Sequence, residues 1–240
     1  MRSPIVMLFF AVFLSVAAHA RNGIFADETS LWSDNVRKAP WNAMAWNGLG
    51  RARQYEKKLP LLVAEAAYLK ALDISPFYAQ PYVNLGYIYY KRGEYGRAAE
   101  AFEKAIAFSP VPFEDHHRFL GYVYLKKGMR PEAMAEFGVA IGLLPKDAVA
   151  KRMAAATYSS EGFKFSDSGD FEGALILHRI AAGIKPDYAN ASYGIALALE
   201  GLGRKEESAG YWREYLILAP QGDEFRQEAT RRLERLSKER

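Results

Sequence analysis

Tyr68-Leu-Lys-Ala-Leu-Asp-Ile-Ser-Pro76 and, 34 residues on, Phe102-Glu-Lys-Ala-Ile-Ala-Phe-Ser-Pro110 are two copies of one phrase. In each, apolar residues fall at i, i+3 and i+4, the pattern of a helix with one buried face. Each phrase ends on Ser-Pro, where the proline ring cannot continue the helical hydrogen-bond ladder. The proline recurs along the chain: Pro76, Pro110, Pro145, Pro186 and Pro220 step by 34, 35, 41 and 34 residues. Ala64, Ala98, Ala133, Ala174 and Ser208 take the same four steps, while Gly86, Gly121, Gly162 and Ala196, and Tyr89, Tyr124, Phe165 and Leu199, take the last three. A fixed period of this length belongs to a chain built from stacked supersecondary units, each too small to bury its own apolar face. The single step of 41 falls where Ala148 to Ala156 is strongly helix-forming, so the extra residues predict a first helix longer by about two turns.

These residues resemble the tetratricopeptide-repeat (TPR) family, whose unit carries an aromatic, Leu-Gly, Tyr, Ala, Phe, Ala and Pro at fixed offsets. Residues 79–112 fit best, with Tyr82, Leu85, Gly86, Tyr89, Ala98, Phe102, Ala105 and Pro110. Residues 114–147 follow with Leu120, Gly121, Tyr124, Ala133, Phe137, Ala140 and Pro145. Residues 43–78 offer Trp46, Leu49, Gly50, Ala64, Tyr68, Ala71 and Pro76, with two extra residues near Lys58 to Pro60. The last two units, 148–188 and 189–222, are worn: Glu161 stands in place of leucine and His178 in place of the aromatic, while Ile195, Ala196, Trp212 and Tyr215 survive. The resemblance implies an all-α fold, a right-handed superhelix of about five helical hairpins. Leu31-Trp32 and Pro40 mark a half-repeat helix within 21–42, ahead of the first hairpin. Residues 223–240, with Phe225, Ala229, Leu233 and Leu236 on one face, are the expected capping helix.

Composition narrows the function. The 240 residues contain no cysteine, which excludes disulfides, zinc–thiolate sites, iron–sulfur clusters and thiol nucleophiles. A net charge of +4, with the charges scattered, does not call for nucleic acid. His116 and His117 are neighbours, so on a helix they point about 100° apart and cannot share a metal; they read as a hydrophilic helix start. His178 has no Glu-x-x-His context and reads as a partly buried structural residue. Gly48-Leu-Gly50 belongs to the repeat, not to a phosphate loop, and Ser159-Ser160 lacks the strand and turn of a nucleophile elbow. No enzyme, cofactor or metal site is expected.

At the N-terminus, Arg2 precedes an uncharged run from Ile5 to Ala18, and Ala18-His19-Ala20 places small residues where a signal peptidase reads. Residues 1–20 are therefore expected to be a signal peptide or a membrane anchor, with the repeats exported, periplasmic or held at the membrane. The stretch from Arg21-Asn22 through Asp27 to Pro40 resembles the junction between the last membrane helix and the TPR tail of polytopic proteins similar to O-mannosyltransferases. It implies location, and an accessory role beside a membrane glycosyltransferase, but not transferase activity.

In TPR proteins the groove is lined by the first helices. Carried over position by position, that implies a site of Asn47, Arg51, Gln54, Asn84, Tyr87, Tyr90, Lys91, Arg118, Tyr122 and Lys126, continued by Ser159, Phe163 and Tyr193. A basic and aromatic trough of this kind suits an extended, acidic segment of a protein partner. The two-carboxylate clamp of chaperone-binding TPRs is not reproduced, because Asn47, Arg51, Asp115 and Phe119 replace its residues and only Asn84 fits. The function expected is that of an interaction scaffold or adaptor; self-association of the solenoid through its worn repeats is the purely structural alternative.

Overall fold

The computed structural model describes residues 28–56 and 60–238. The proposed leader or anchor, the start of the junction and most of the Lys58–Pro60 turn lie outside those residues. The described chain is twelve α-helices and no strand. The described residues divide into two units, with the boundary between Glu136 and Phe137.

In the first unit, α1 (Glu28–Lys38) precedes three pairs: α2 (Ala43–Tyr55) with α3 (Leu61–Ile74), α4 (Ala79–Lys91) with α5 (Tyr95–Phe108), and α6 (Glu114–Lys126) with the opening turns of α7 (Arg130–Gly142). The first two crossings are each closed by a ring against a glycine. A Cβ on Gly50 would stand 2.5 Å from the Tyr68 ring, and one on Gly86 would stand 2.8 Å from the Phe102 ring. Only glycine lets the two backbones come this near with a full aromatic between them. The half-repeat helix obeys the same rule, since the Trp32 ring fills the space where Gly48 has no side chain. Ala64, Tyr68, Ala98 and Phe102 are wholly buried, so the repeated phrase is the core of this unit.

The second unit takes the rest of α7, then α8 (Ala148–Asp167) with α9 (Phe171–Ile184), α10 (Ala189–Gly201) with α11 (Lys205–Leu218), and the cap α12 (Arg226–Lys238). Ala229 and Leu236 of the cap are buried on Trp212 and Tyr215, as the one-faced pattern requires. Helices α2, α4, α6 and α10 have 13 residues each, whereas α8 has 20. All of these except α2 stop two residues after their Tyr89, Tyr124, Phe165 or Leu199 position, so the added two turns lie at the N-terminal end of α8. There the Asp147 carboxylate caps the helix by accepting from the Ala150 amide at 2.8 Å.

Four of the five first helices, all but α2, end on glycine in the left-handed region: Gly93, Gly128, Gly169 and Gly203 have φ of 75°, 75°, 81° and 74°. The next residue then turns its amide back onto the carbonyl of Tyr89, Tyr124, Phe165 or Leu199, at 2.9–3.0 Å. This closing bond satisfies carbonyls that a helix end leaves open. A side chain at these glycines would be strained by backbone conformation alone.

Candidate functional site

The expected trough lies in the first unit, on first helices that adjoin one another, α2 beside α4 and α4 beside α6. At its floor, Asn84 of α4 donates from Nδ2 to Asn47 Oδ1 of α2 at 3.0 Å. Asn47 Nδ2 in turn reaches the Tyr78 hydroxyl at 3.4 Å. Burial raises the Tyr78 phenol above its ordinary value, and the Asn47 bond opposes that only in part. Successive repeats are thereby tied by side-chain amides. Gln54 is engaged inward, accepting from the Tyr68 hydroxyl at 2.7 Å, so it braces the core ring at Gly50.

Aromatic rings run across the same face. Tyr87 meets Phe119 edge-on at 5.9 Å, and Phe119 stacks on Phe102 at 5.7 Å and 6°. Lys91 Nζ sits 5.5 Å from the centre of the Tyr87 ring, and the Arg118 guanidinium sits 4.9 Å from that of Phe119. Tyr90 is half-buried and lies 5.9 Å from Tyr95. Such ring–cation pairs hold a flat, low-entropy surface ready for contact.

Two expected members behave differently. Tyr122 is only 1% exposed, so its ring supports the trough from below and does not line it. Arg118 is committed inside its own helix, to Glu114 Oε1 at 2.8 Å and to Asp115. Burial pushes the Arg118 value down, but the Tyr122 hydroxyl and the two acids overcome it and hold the guanidinium charged. Its charge is thus already matched. Arg51 and Lys91 are exposed, and no acidic partner for either is recorded among the described residues; Lys126 is half-buried and already holds a contact. The net cationic character of the trough sits at the α2–α4 end. One residue there escaped the sequence reading: Tyr55, 76% exposed and one turn beyond Arg51. The i, i+4 spacing from Arg51 to Tyr55 was the available signal.

In the second unit, Ser159 is buried, and Phe163 and Tyr193 belong to a ring cluster. Tyr193 lies 5.1 Å from both Trp212 and Tyr215 and 5.4 Å from Phe225. His178 is fully buried: its ring occupies the room of the missing side chains of Gly162 and Gly194. It therefore does the packing work of Tyr68 and Phe102. Nδ1 is 3.1 Å from the Ser159 hydroxyl, Nε2 has no partner, and burial lowers the ring's value to about 4.

His116 corrects the expectation of a hydrophilic helix start. It is 7% exposed and packs on Phe113 with ring centres 5.1 Å apart. The cause is the turn before α6, which folds over the ring. His117 is fixed by Glu136, with Nδ1 2.7 Å from Oε2. Among the described residues no three His, Asp or Glu side chains converge as metal ligands would. Among the same residues no helix is long and apolar enough to cross a membrane.

Residues 79–110 and 165–223 each match a family model described as tetratricopeptide repeat. No curated protein matches the chain in sequence. Of solved structures, YrrB, "a TPR protein with an unusual peptide-binding site", superposes with a TM-score of 0.55 at 20% identity, over 80% of this chain and 93% of that one. MamA gives a TM-score of 0.46 at 22% identity, over 80% and 91%. Ring-on-glycine crossings, turn glycines and matched stretches in both units agree that this chain carries tetratricopeptide repeats.

Proposed function

We propose that the chain is a non-catalytic adaptor that holds an extended, acidic segment of a protein partner along α2, α4 and α6. The observation that carries this reading is the pair of exposed cations, Arg51 and Lys91, set beside half-buried tyrosines on a floor of bonded asparagines. Carboxylates of the segment meet Arg51 and Lys91, and its apolar side chains pack on Tyr87 and Phe119. Because Arg118 is matched by Glu114 and Asp115, the acidic residues of the segment belong at the α2–α4 end and neutral ones beside α6. The peptide-binding site named for YrrB is in keeping with this use of the fold. Placement on the exported side of a membrane is part of the proposal and rests on the apolar run of residues 5–18.

The test is an array of short extended peptides graded in Asp and Glu content, probed with the purified chain. Wild type should prefer the acidic peptides, and Arg51→Glu with Lys91→Glu should erase that preference while leaving the circular dichroism unchanged. A wild-type array indifferent to acidity would refute the reading.

A further inference from the structure

Away from the trough, the second helices of the first two hairpins, α3 and α5, leave a groove between them with a cavity of about 170 Å³. Leu69 and Leu72 of α3, Leu85 of α4 and Ala101 of α5 make its apolar walls, and Arg97, Glu100 and Lys104 of α5 stand beside them. An exposed apolar stripe leads into it along α3. Leu62, Ala66 and Leu69 recur at i, i+4 and i+7, with Leu62 64% and Leu69 44% exposed. Contiguous apolar surface rimmed by polar residues marks a place of contact.

The charges at the groove select its occupant. Arg97 is already matched by Glu65 and Glu94. Glu100 and Lys104 are exposed and stand one turn apart, in the order that ordinarily pairs along a helix. The Lys104 ammonium instead lies 5.7 Å from the centre of the Tyr82 ring, and no ion pair of either residue is recorded among the described residues. An anionic surface or a uniformly acidic segment would attract Lys104 but be repelled by Glu100. What satisfies both is one base and one acid, spaced by a helical turn and running the opposite way. The chain itself carries that surface: a second α5 laid antiparallel brings its Lys104 to Glu100 and its Glu100 to Lys104. Leu69 lies near the same axis. It occupies the place that Glu103 takes 34 residues later, so it is level with the Glu100–Lys104 turn.

We propose that this groove is an interface between two copies of the chain, with a twofold axis crossing α5 between Glu100 and Lys104. Each Glu100 pairs with Lys104 of the other copy, and Leu69 of each copy closes the mouth of the cavity. A twofold contact uses one patch twice, so a helix that is complementary to itself is all it requires. The ion pairs set register and orientation, while burial of the Leu62–Leu69 stripe supplies the attraction. The interface lies on second helices of the first unit, so it neither rests on the trough nor uses the worn repeats.

The experiment is sedimentation velocity of the full chain over a concentration series, with circular dichroism of each variant to establish that it folds. Wild type should pass from monomer to dimer. Glu100→Lys sets lysine against lysine in both pairs, Lys104→Glu sets glutamate against glutamate, and each alone should weaken dimerisation at least about tenfold. The double exchange rebuilds both pairs and should recover the wild-type constant. Mixed together, the two single variants place lysine against glutamate in every contact between unlike copies, so a heterodimer should form from proteins that separately stay monomeric. Leu69→Asp should weaken the wild-type dimer. A wild type monomeric at every concentration, single variants, Leu69→Asp included, that dimerise as tightly as wild type, or a mixture that stays monomeric overturns the proposal.

Discussion

Replacing His178 with phenylalanine should make the protein resistant to acid. The ring sits where Tyr68 and Phe102 sit in the first unit, and Gly162 and Gly194 leave space for it. At neutral pH two effects oppose: relief of the unpartnered Nε2, worth about 1–3 kcal/mol, and crowding by the larger ring, of similar size. Ser159 keeps its second acceptor, the Asn190 carbonyl at 3.4 Å. Neutral stability should therefore change by no more than about 1 kcal/mol. Acid separates the two proteins. An unfolded histidine takes its proton near 6.5, whereas burial in the fold lowers His178 to about 4. The unfolded chain thus binds the proton first as pH falls. The contribution of neutral His178 is complete above about pH 6.5 and is lost progressively toward pH 4, by about 3 kcal/mol. Urea denaturation followed by circular dichroism, from about pH 7.5 to about pH 4.5, gives the difference between wild type and His178→Phe at each point. Titration of His116 occurs in both proteins and cancels. The difference should grow by about 2–3 kcal/mol in favour of the variant. A difference that stays flat across this range would mean that the folded ring accepts its proton freely, and the account of its burial would be wrong.

Glu65 is buried and accepts from Arg92 at 2.5 Å, Tyr89 at 3.2 Å and Arg97 at 3.3 Å. Burial raises its value, but the Arg92 bond and charge outweigh burial and hold it below the ordinary carboxylate range. Glu65→Ala should destabilise by about 1–3 kcal/mol, less than loss of a wholly buried pair, because the Arg97 side chain is 54% exposed and water replaces the carboxylate there. Its contribution is complete above the ordinary 4.5 and fades as pH falls through the lower folded value, so wild type and variant should converge in strong acid by urea midpoint. Trp32→Ala removes the ring that fills the Gly48 crossing. Because repeats contact only their neighbours, hydrogen exchange should speed up along α1 while α4 and α5 keep their protection.

The hairpins were legible because their signal is periodic: a ring, a glycine and a proline recur at spacings that only stacked helix pairs demand. The lengthened α8 was legible for the same reason, as a step of 41 among steps of 34 and 35. For the candidate trough, the adjacency of the first helices that carry it was legible, but its charge was not. Glu114 and Asp115, four and three residues ahead of Arg118, are at pairing distance on any helix, yet laying family offsets on the sequence treats each position alone. Burial of Tyr122 and His116 was hidden for a different reason. The first depends on how Phe119 and Arg118 fold over it, the second on a turn whose path is set by Pro110 and Pro112. Neither arrangement leaves a mark in the spacing of residues.

The seven residues added to α8 are close to two whole turns, and a straight helix rotates only about 20° over seven residues. Because they precede Gly162, they leave its face on the His178 ring, and the closing bond from the Asp170 amide to the Phe165 carbonyl, as in the shorter first helices. The extension therefore projects from the hairpin without disturbing the crossing beneath it. Its nearly whole number of turns sets the capping Asp147 on about the same side of the helix as the start of a 13-residue one.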